Sequence, residues 1–197
     1  MPPTLHAQLS GYFGVGEADA SALAGLFRER AFARGARLIR RGARAELLGF
    51  VVDGYVRTWA PDPSGEREVT QWLAAPGGFL TDAAGFFCGQ PARFHVDALT
   101  DGAWHTVTRA DFARFGERVP GWPALERAFL ARCFATLEER VFAQLACSAE
   151  ERVRGLLARD AELFVRVPLR HIASMLGMTP ETLSRVRRRL AEEGRAL

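Results

Sequence analysis

Lysine is absent from this 197-residue chain, and all 26 basic side chains are arginine. That bias is the mark of a GC-rich genome and by itself excludes no function. Cysteine is scarce. Cys88, Cys133 and Cys147 are odd in number, widely spaced and without a CxxC pair, which excludes a disulfide framework of the secreted type and predicts buried thiols. Long apolar runs are missing too. Stretches such as Leu47 to Val52, interrupted by Gly49, are far too short to span a bilayer. Met1 to Ser10 has neither a basic stretch nor an apolar core ahead of a small-residue cleavage site, so no secretory signal is expected and a cytoplasmic location follows by default. His6, His95, His105 and His171 lack the close His-x-His and acidic spacing of a cupin-type metal site. They read as ordinary residues, and no catalytic residue, metal or cofactor is predicted. No repeat or low-complexity segment is present.

What is there reads as a folded protein. Hydrophobic residues at 48% and charged residues at 25% exclude disordered and collagen-like chains, and the length suggests two domains. The charge is segregated. From Arg166 to the end seven arginines face three glutamates, a net of +4, whereas the remainder sums to −1. The positive excess therefore lies in the last 32 residues, where a polyanion would bind, and no such partner is implied for the rest.

Apolar spacing at Ala18, Ala22, Leu23, Leu26 and Phe27 predicts a helix from about Glu17 to Arg30. From Phe32 to about Val107, turn signals recur at Arg41-Gly42, Asp53-Gly54, Pro63-Ser64-Gly65, Pro76-Gly77-Gly78, Gly89-Gln90-Pro91 and Asp101-Gly102, a spacing that indicates an all-β sandwich or barrel. Asp53-Gly54 between Phe50-Val52 and Tyr55-Val56 predicts a two-residue hairpin. Thr108 and Asp111 predict a capped short helix that closes the β region. After Pro120 and Pro123, Leu125, Phe129, Cys133, Leu137, Val141 and Leu145, flanked by Leu130, Phe134 and Phe142, predict a helix of about 20 residues whose wide apolar stripe needs a barrel wall, a partner helix, or both. Ser148 and Glu151 form a capping box ahead of Val153, Leu156 and Leu157, which places a domain boundary at Ser148.

From Leu169 to Leu190 the residues meet, one after another, the demands of two helices packed across a tight turn. Ile172, Leu176, Leu183 and Val186 are apolar where the helices share a core, and Ala173 is small where they cross. Gly177 falls where the chain must leave the first helix in a left-handed conformation, with Met178 beneath the turn. Thr179 is the expected N-cap, Pro180 takes the first helical position and Glu181 complements the helix dipole. Glu181, Ser184 and Arg185 face outward near the start of the second helix, where base edges are read. Arg185 suits guanine, Glu181 accepts from cytosine N4, and Ser184 bonds either. Arg170, Arg187, Arg188, Arg189 and Arg195, with Thr179 and Thr182, are candidates for backbone contacts. A generic helical hairpin with a solvated basic face is the plainer alternative, and it does not explain why the turn, cap and charge requirements are met together.

With this motif the chain resembles the CRP/FNR superfamily of bacterial regulators over nearly its whole length. Thr179-Pro180-Glu181-Thr182-Leu183-Ser184-Arg185 is similar to the family's recognition helix, and its Glu-x-x-Ser-Arg arrangement to the FNR-type branch. The resemblance implies an α+β protein with an N-terminal jelly-roll-like β-roll of the cyclic-nucleotide-binding type (1–119), a dimerisation helix (120–147) and a helix-turn-helix domain (148–197). It implies a homodimer on double-stranded DNA at a palindromic site with a TTGA-like half-site, RNA polymerase as a further partner, and an unidentified effector. Phe79, Thr81, Asp82, Ala92 and Arg93 fall at the candidate effector pocket, and Leu125, Phe129, Cys133, Leu137, Val141 and Leu145 on the dimer helix.

The chain also departs from the family. Relatives that bind cyclic AMP use a Gly-Glu pair on the ribose and Arg-Ser or Arg-Thr on the phosphate, where this chain has Thr81-Asp82 and Ala92-Arg93. The arginine is displaced by one residue, which turns it to the other face of a strand and argues against cyclic AMP. Phe79, Phe86, Phe87 and Phe94 are expected to be core rather than the lining of an apolar effector cavity. An FNR-type iron–sulfur cluster needs four cysteines including an N-terminal group. The hairpin wing that usually follows the recognition helix is expected to be truncated or absent, because only Glu192 to Leu197 follow. Two other readings compete: a cupin-type enzyme with a helical tail, and a wingless interaction protein that binds a protein partner.

Overall fold

A computed structural model describes residues 4–192 and 194. Two short helices, α1 (Leu5–Phe13) and α2 (Glu17–Ala24), precede the strands. Strands β1 (Arg28–Phe32), β2 (Arg37–Ile39), β3 (Leu47–Asp53), β4 (Val56–Pro61), β5 (Glu68–Ala74), β6 (Phe79–Leu80), β7 (His95–Ala98) and β8 (Gly102–Thr108) form two four-stranded antiparallel sheets, ordered β1-β8-β3-β6 and β2-β7-β4-β5. Helix α3 (Ala83–Cys88) lies between β6 and β7. The all-β sandwich or barrel expected from the turn spacing is therefore present, in the form of the roll that the resemblance implies.

Three local expectations are corrected. The helix expected to reach Arg30 ends at Ala24, and Arg28–Phe32 pairs in full register with β8, from Arg28 opposite Thr106 to Phe32 opposite Gly102. Of the expected helical face only Leu23 and Phe27 are buried; sheet pairing overrides the helical spacing. No hairpin forms at Asp53-Gly54, because β3 pairs with β6 and β8 while β4 pairs with β5 and β7. The turn instead carries the chain from one sheet to the other. Gly54 does have φ +90°, and a Cβ there would lie 2.7 Å from the Asp101 carbonyl oxygen, so the need for glycine was legible and the pairing was not. Cys88 is exposed and the other two thiols half-buried, where buried thiols were expected.

The roll closes on helices α4 (Arg109–Ala113) and α5 (Phe115–Arg118). The Thr108 hydroxyl caps α4 by accepting from the Asp111 N–H at 3.0 Å. Helix α6 (Trp122–Ala146) is 25 residues long. Its first half packs on the roll: the Phe129 ring is fully buried, 4.7 Å from Phe13 and 5.1 Å from Phe79, while Leu125 and Cys133 line the same core. Phe129 is thus committed to its own roll. Beyond Cys133 the stripe opens to solvent at Phe134, Leu137, Val141, Phe142 and Leu145.

Helix α7 (Ala149–Arg159) starts at the expected capping box of Ser148 and Glu151. Helices α8 (Leu163–Arg166), α9 (Leu169–Met175) and α10 (Pro180–Glu192) complete the described chain. Their core of Val153, Leu163, Ile172, Leu183, Val186 and Leu190 also takes in Tyr55 and Leu73 from the roll, so the C-terminal helices dock on the sheet that carries β5. Among the described residues no helix is long and apolar enough to cross a membrane.

Candidate nucleic-acid interface

Helices α9 and α10 share the core that the sequence implies, with Ile172, Ala173 and Leu183 fully buried and Leu176 and Val186 at most 8% exposed. Gly177 turns the chain with φ +67°, its N–H donating to Ser174 O at 3.1 Å, and Met178 N–H donates to Ala173 O at 3.0 Å. These bonds satisfy the last carbonyls of α9, as a left-handed cap does. Thr179 then caps α10, its hydroxyl oxygen accepting from Thr182 N–H at 3.2 Å.

Glu181, Ser184 and Arg185 are exposed on one side of α10 while Leu183 and Val186 hold the other. The Glu181 carboxyl is held below the usual carboxylate range chiefly by a hydrogen bond from its own backbone N–H, so it is an acceptor at neutral pH. Arg185 lies 3.4 Å from the Thr182 hydroxyl, a contact that steadies the guanidinium on this face. Two cations, an anion and a hydroxyl can thus be offered to a groove along one face: Arg185, Arg188, Glu181 and Ser184.

The backbone candidates divide. Arg170 and Arg188 are exposed and make no ion pair among the described residues. Arg189 is paired to Glu150 of α7, and Arg187 lies over the Phe164 ring at 5.4 Å. Both therefore have intramolecular roles that the charge pattern did not reveal. The Thr179 and Thr182 hydroxyls are engaged with each other at the helix start. Arg195 lies outside the described residues, as do residues 193 and 196–197 of the segment on which the wing expectation falls.

The five residues of the expected effector pocket are packed in the core, engaged with main-chain groups or turned to solvent. Phe79 packs against Tyr12, Phe50 and Phe129, Thr81 donates to Leu47 O at 2.9 Å, and Ala92 is buried. Asp82 is buried and accepts from Gly85 N–H at 2.8 Å, Arg93 N–H at 2.8 Å and Phe94 N–H at 3.2 Å. Its carboxylate thus occupies the amides at the start of α3 and in the 91–94 loop, the groups that attract an anion. Arg93 is exposed, 5.8 Å over the Phe94 ring. A cleft of about 1140 Å³ lies elsewhere, between the roll and the C-terminal helices, and includes Tyr55, Trp72, Arg140, Gln144 and Asp160 in its walls.

His171, which reads as ordinary in the sequence, is buried where α9 meets the roll. Burial, and then the nearby Arg57 and Arg170, bring its pKa down to about 4. Sequence reasoning also passed over Arg140, Gln144 and Ser174, whose partners are mostly main-chain atoms distant in sequence and leave no pattern.

Residues 29–118 match the family model described as a cyclic nucleotide-binding domain. No curated protein sequence matches. Among solved structures, FixK2 from Bradyrhizobium japonicum is 23% identical with a TM-score of 0.73, covering 85% of this chain and 86% of its own. The catabolite activator protein of Thermus thermophilus is 24% identical with a TM-score of 0.57, over 95% of this chain and 88% of its own. The c-di-GMP-responsive global regulator CLP of Xanthomonas campestris is 16% identical with a TM-score of 0.62, over 91% and 93%. These likenesses establish a shared fold across both halves of the chain.

Proposed function

We propose that this chain, which has the fold of the CRP/FNR transcription regulators, is a non-catalytic homodimer that reads double-stranded DNA. The observation that carries the reading is the exposed face of α10, where Glu181, Ser184 and Arg185 stand ready for base edges and Arg188 and Arg170 for phosphates. The apolar stripe of α6 supports pairing of two copies, which suits an inverted repeat with half-sites about 34 Å apart. The Glu-x-x-Ser-Arg arrangement favours a TTGA-like half-site. Such a regulator works in the cytoplasm and has RNA polymerase as a further partner. Its roll does not take cyclic AMP in the family's manner, since Asp82 already fills the anion-attracting amides and Arg93 is turned out to solvent. Any effector is therefore of another kind.

Electrophoretic mobility shifts test the reading. The wild-type chain is expected to prefer a duplex with an inverted TTGA repeat over a scrambled one, and Arg185→Ala to lose about 1–3 kcal/mol of that preference while retaining non-specific binding. Equal binding of the two duplexes by both proteins contradicts sequence reading, and binding of neither duplex favours an interaction protein.

A further inference from the structure

The C-terminal helices are fastened to the roll by a polar assembly centred on Arg140 of α6. Its guanidinium donates to main-chain carbonyls on two other elements: Gln71 O on β5, and Met175 O at 3.2 Å at the end of α9. It lies 5.1 Å over the Trp72 ring. No carboxylate pairs with it among the described residues, and burial lowers its pKa from the usual arginine value. A cation taken partly out of water for neutral partners alone sacrifices solvation for geometry, and the planar fork of arginine suits two carbonyls held apart.

Neighbouring side chains address the same spot. Gln144, one turn along α6, donates to Met175 O at 3.2 Å, and its Oε1 lies 2.9 Å from where a Cβ on Gly177 would sit. From the other side Ser174 Oγ accepts from Thr70 N–H at 2.9 Å and lies 3.4 Å from Glu68 O, so α9 completes hydrogen bonds along the edge of the sheet at β5. All of these contacts converge on the last turn of α9 and the Gly177 turn, immediately ahead of α10. The outward face of α10 stays exposed throughout. The docking therefore orients the reading face and does not mask it. Arg140 lies one residue from Val141 of the exposed stripe, so one helix carries both the face for a second copy and the fastening for the reading unit.

We infer that Arg140, supported by Gln144 and Ser174, is the positioning residue that fixes the DNA-reading helix relative to α6, so that two helices in a dimer meet successive grooves at a set spacing. The inference rests on the DNA-binding reading above. Losing the fastening lets each reading unit sample other orientations, and the penalty falls only where both units must engage together.

The test uses the full-length chain and fluorescence anisotropy on two duplexes: an inverted repeat selected by the wild-type protein from a random pool, and a short duplex with one half-site. Arg140→Ala is expected to weaken binding to the inverted repeat roughly tenfold and to leave half-site binding unchanged, with the dimer intact by light scattering. Arg140→Lys, which keeps the charge without the fork, falls between the two, and Ser174→Ala shows the same pattern more weakly. If Arg140→Ala is misfolded by circular dichroism, Ser174→Ala decides. Unchanged binding to both duplexes overturns the inference, and so does an equal loss on both, which marks a purely structural role. Arg185→Ala, by contrast, is expected to lose affinity for both duplexes. A wild-type chain that binds neither overturns the DNA-binding reading itself.

Discussion

Phe134→Ala measures how much of the proposed dimer rests on the open half of α6. Phe134 is 63% exposed in the single chain and has no place in either hydrophobic core, so its loss leaves the protomer's fold intact. A phenylalanine side chain buries about 150–250 Å², which leaves roughly 100–160 Å² of it for a partner to cover. At about 25 cal/mol per Å² that area amounts to ~2.5–4 kcal/mol per copy when fully covered. Two-fold symmetry places the change on both sides of the interface. Incomplete covering and the retained alanine methyl group reduce the total to about 3–4 kcal/mol per dimer, a dissociation constant raised roughly 100- to 1,000-fold. Sedimentation equilibrium over a concentration series reads this directly. An unchanged dimer constant, or a wild-type chain that is monomeric at tens of micromolar with and without DNA, refutes the assignment of this face.

Three further outcomes follow from the geometry. Asp82→Ala leaves the buried Gly85 N–H and the part-buried Arg93 and Phe94 N–H groups without their acceptor and is expected to lower stability by about 2 kcal/mol, read by urea denaturation, with Asp82→Asn milder; a midpoint like the wild type's contradicts the capping role. Gly177→Ala forces a side chain into φ +67° and against Gln144 Oε1, for an expected cost of about 1–2 kcal/mol in thermal unfolding; Gln144→Ala recovers only the part due to the clash. His171 has its pKa brought down to about 4, against 6.5 ordinarily, so the unfolded chain binds the extra proton first. Its contribution is full above pH 6.5 and lost as pH falls toward 4. Urea midpoints across that window are expected to be flatter in His171→Gln than in the wild type, and parallel curves would falsify the burial argument.

The sequence revealed most where each residue answers a local demand. Thr179, Pro180 and Gly177 announce a cap, a first turn and a left-handed exit without reference to the rest of the chain, and Ser148 with Glu151 does the same for α7. What escaped depends on partners far along the chain. Asp53-Gly54 has the same turn chemistry whether its flanking strands pair or diverge, and here they diverge to separate sheets, with Tyr55 N–H donating to the Thr100 hydroxyl at 2.9 Å. Arg28 to Arg30 reads as the end of a helix until β8 offers it a register. Arg187 and Arg189 look like phosphate contacts until Phe164 and Glu150 are brought beside them. Asp82 aligns with a ribose-binding position, yet its three backbone partners, two of them about ten residues on, make it part of the scaffold.

Selection of bound sequences from a random pool of duplex DNA tests the central claim most directly. A single inverted repeat is expected, its half-sites about ten base pairs apart between centres, with the guanine preference within each half-site lost in Arg185→Ala. A scattered set of sequences with no symmetric motif would contradict the account.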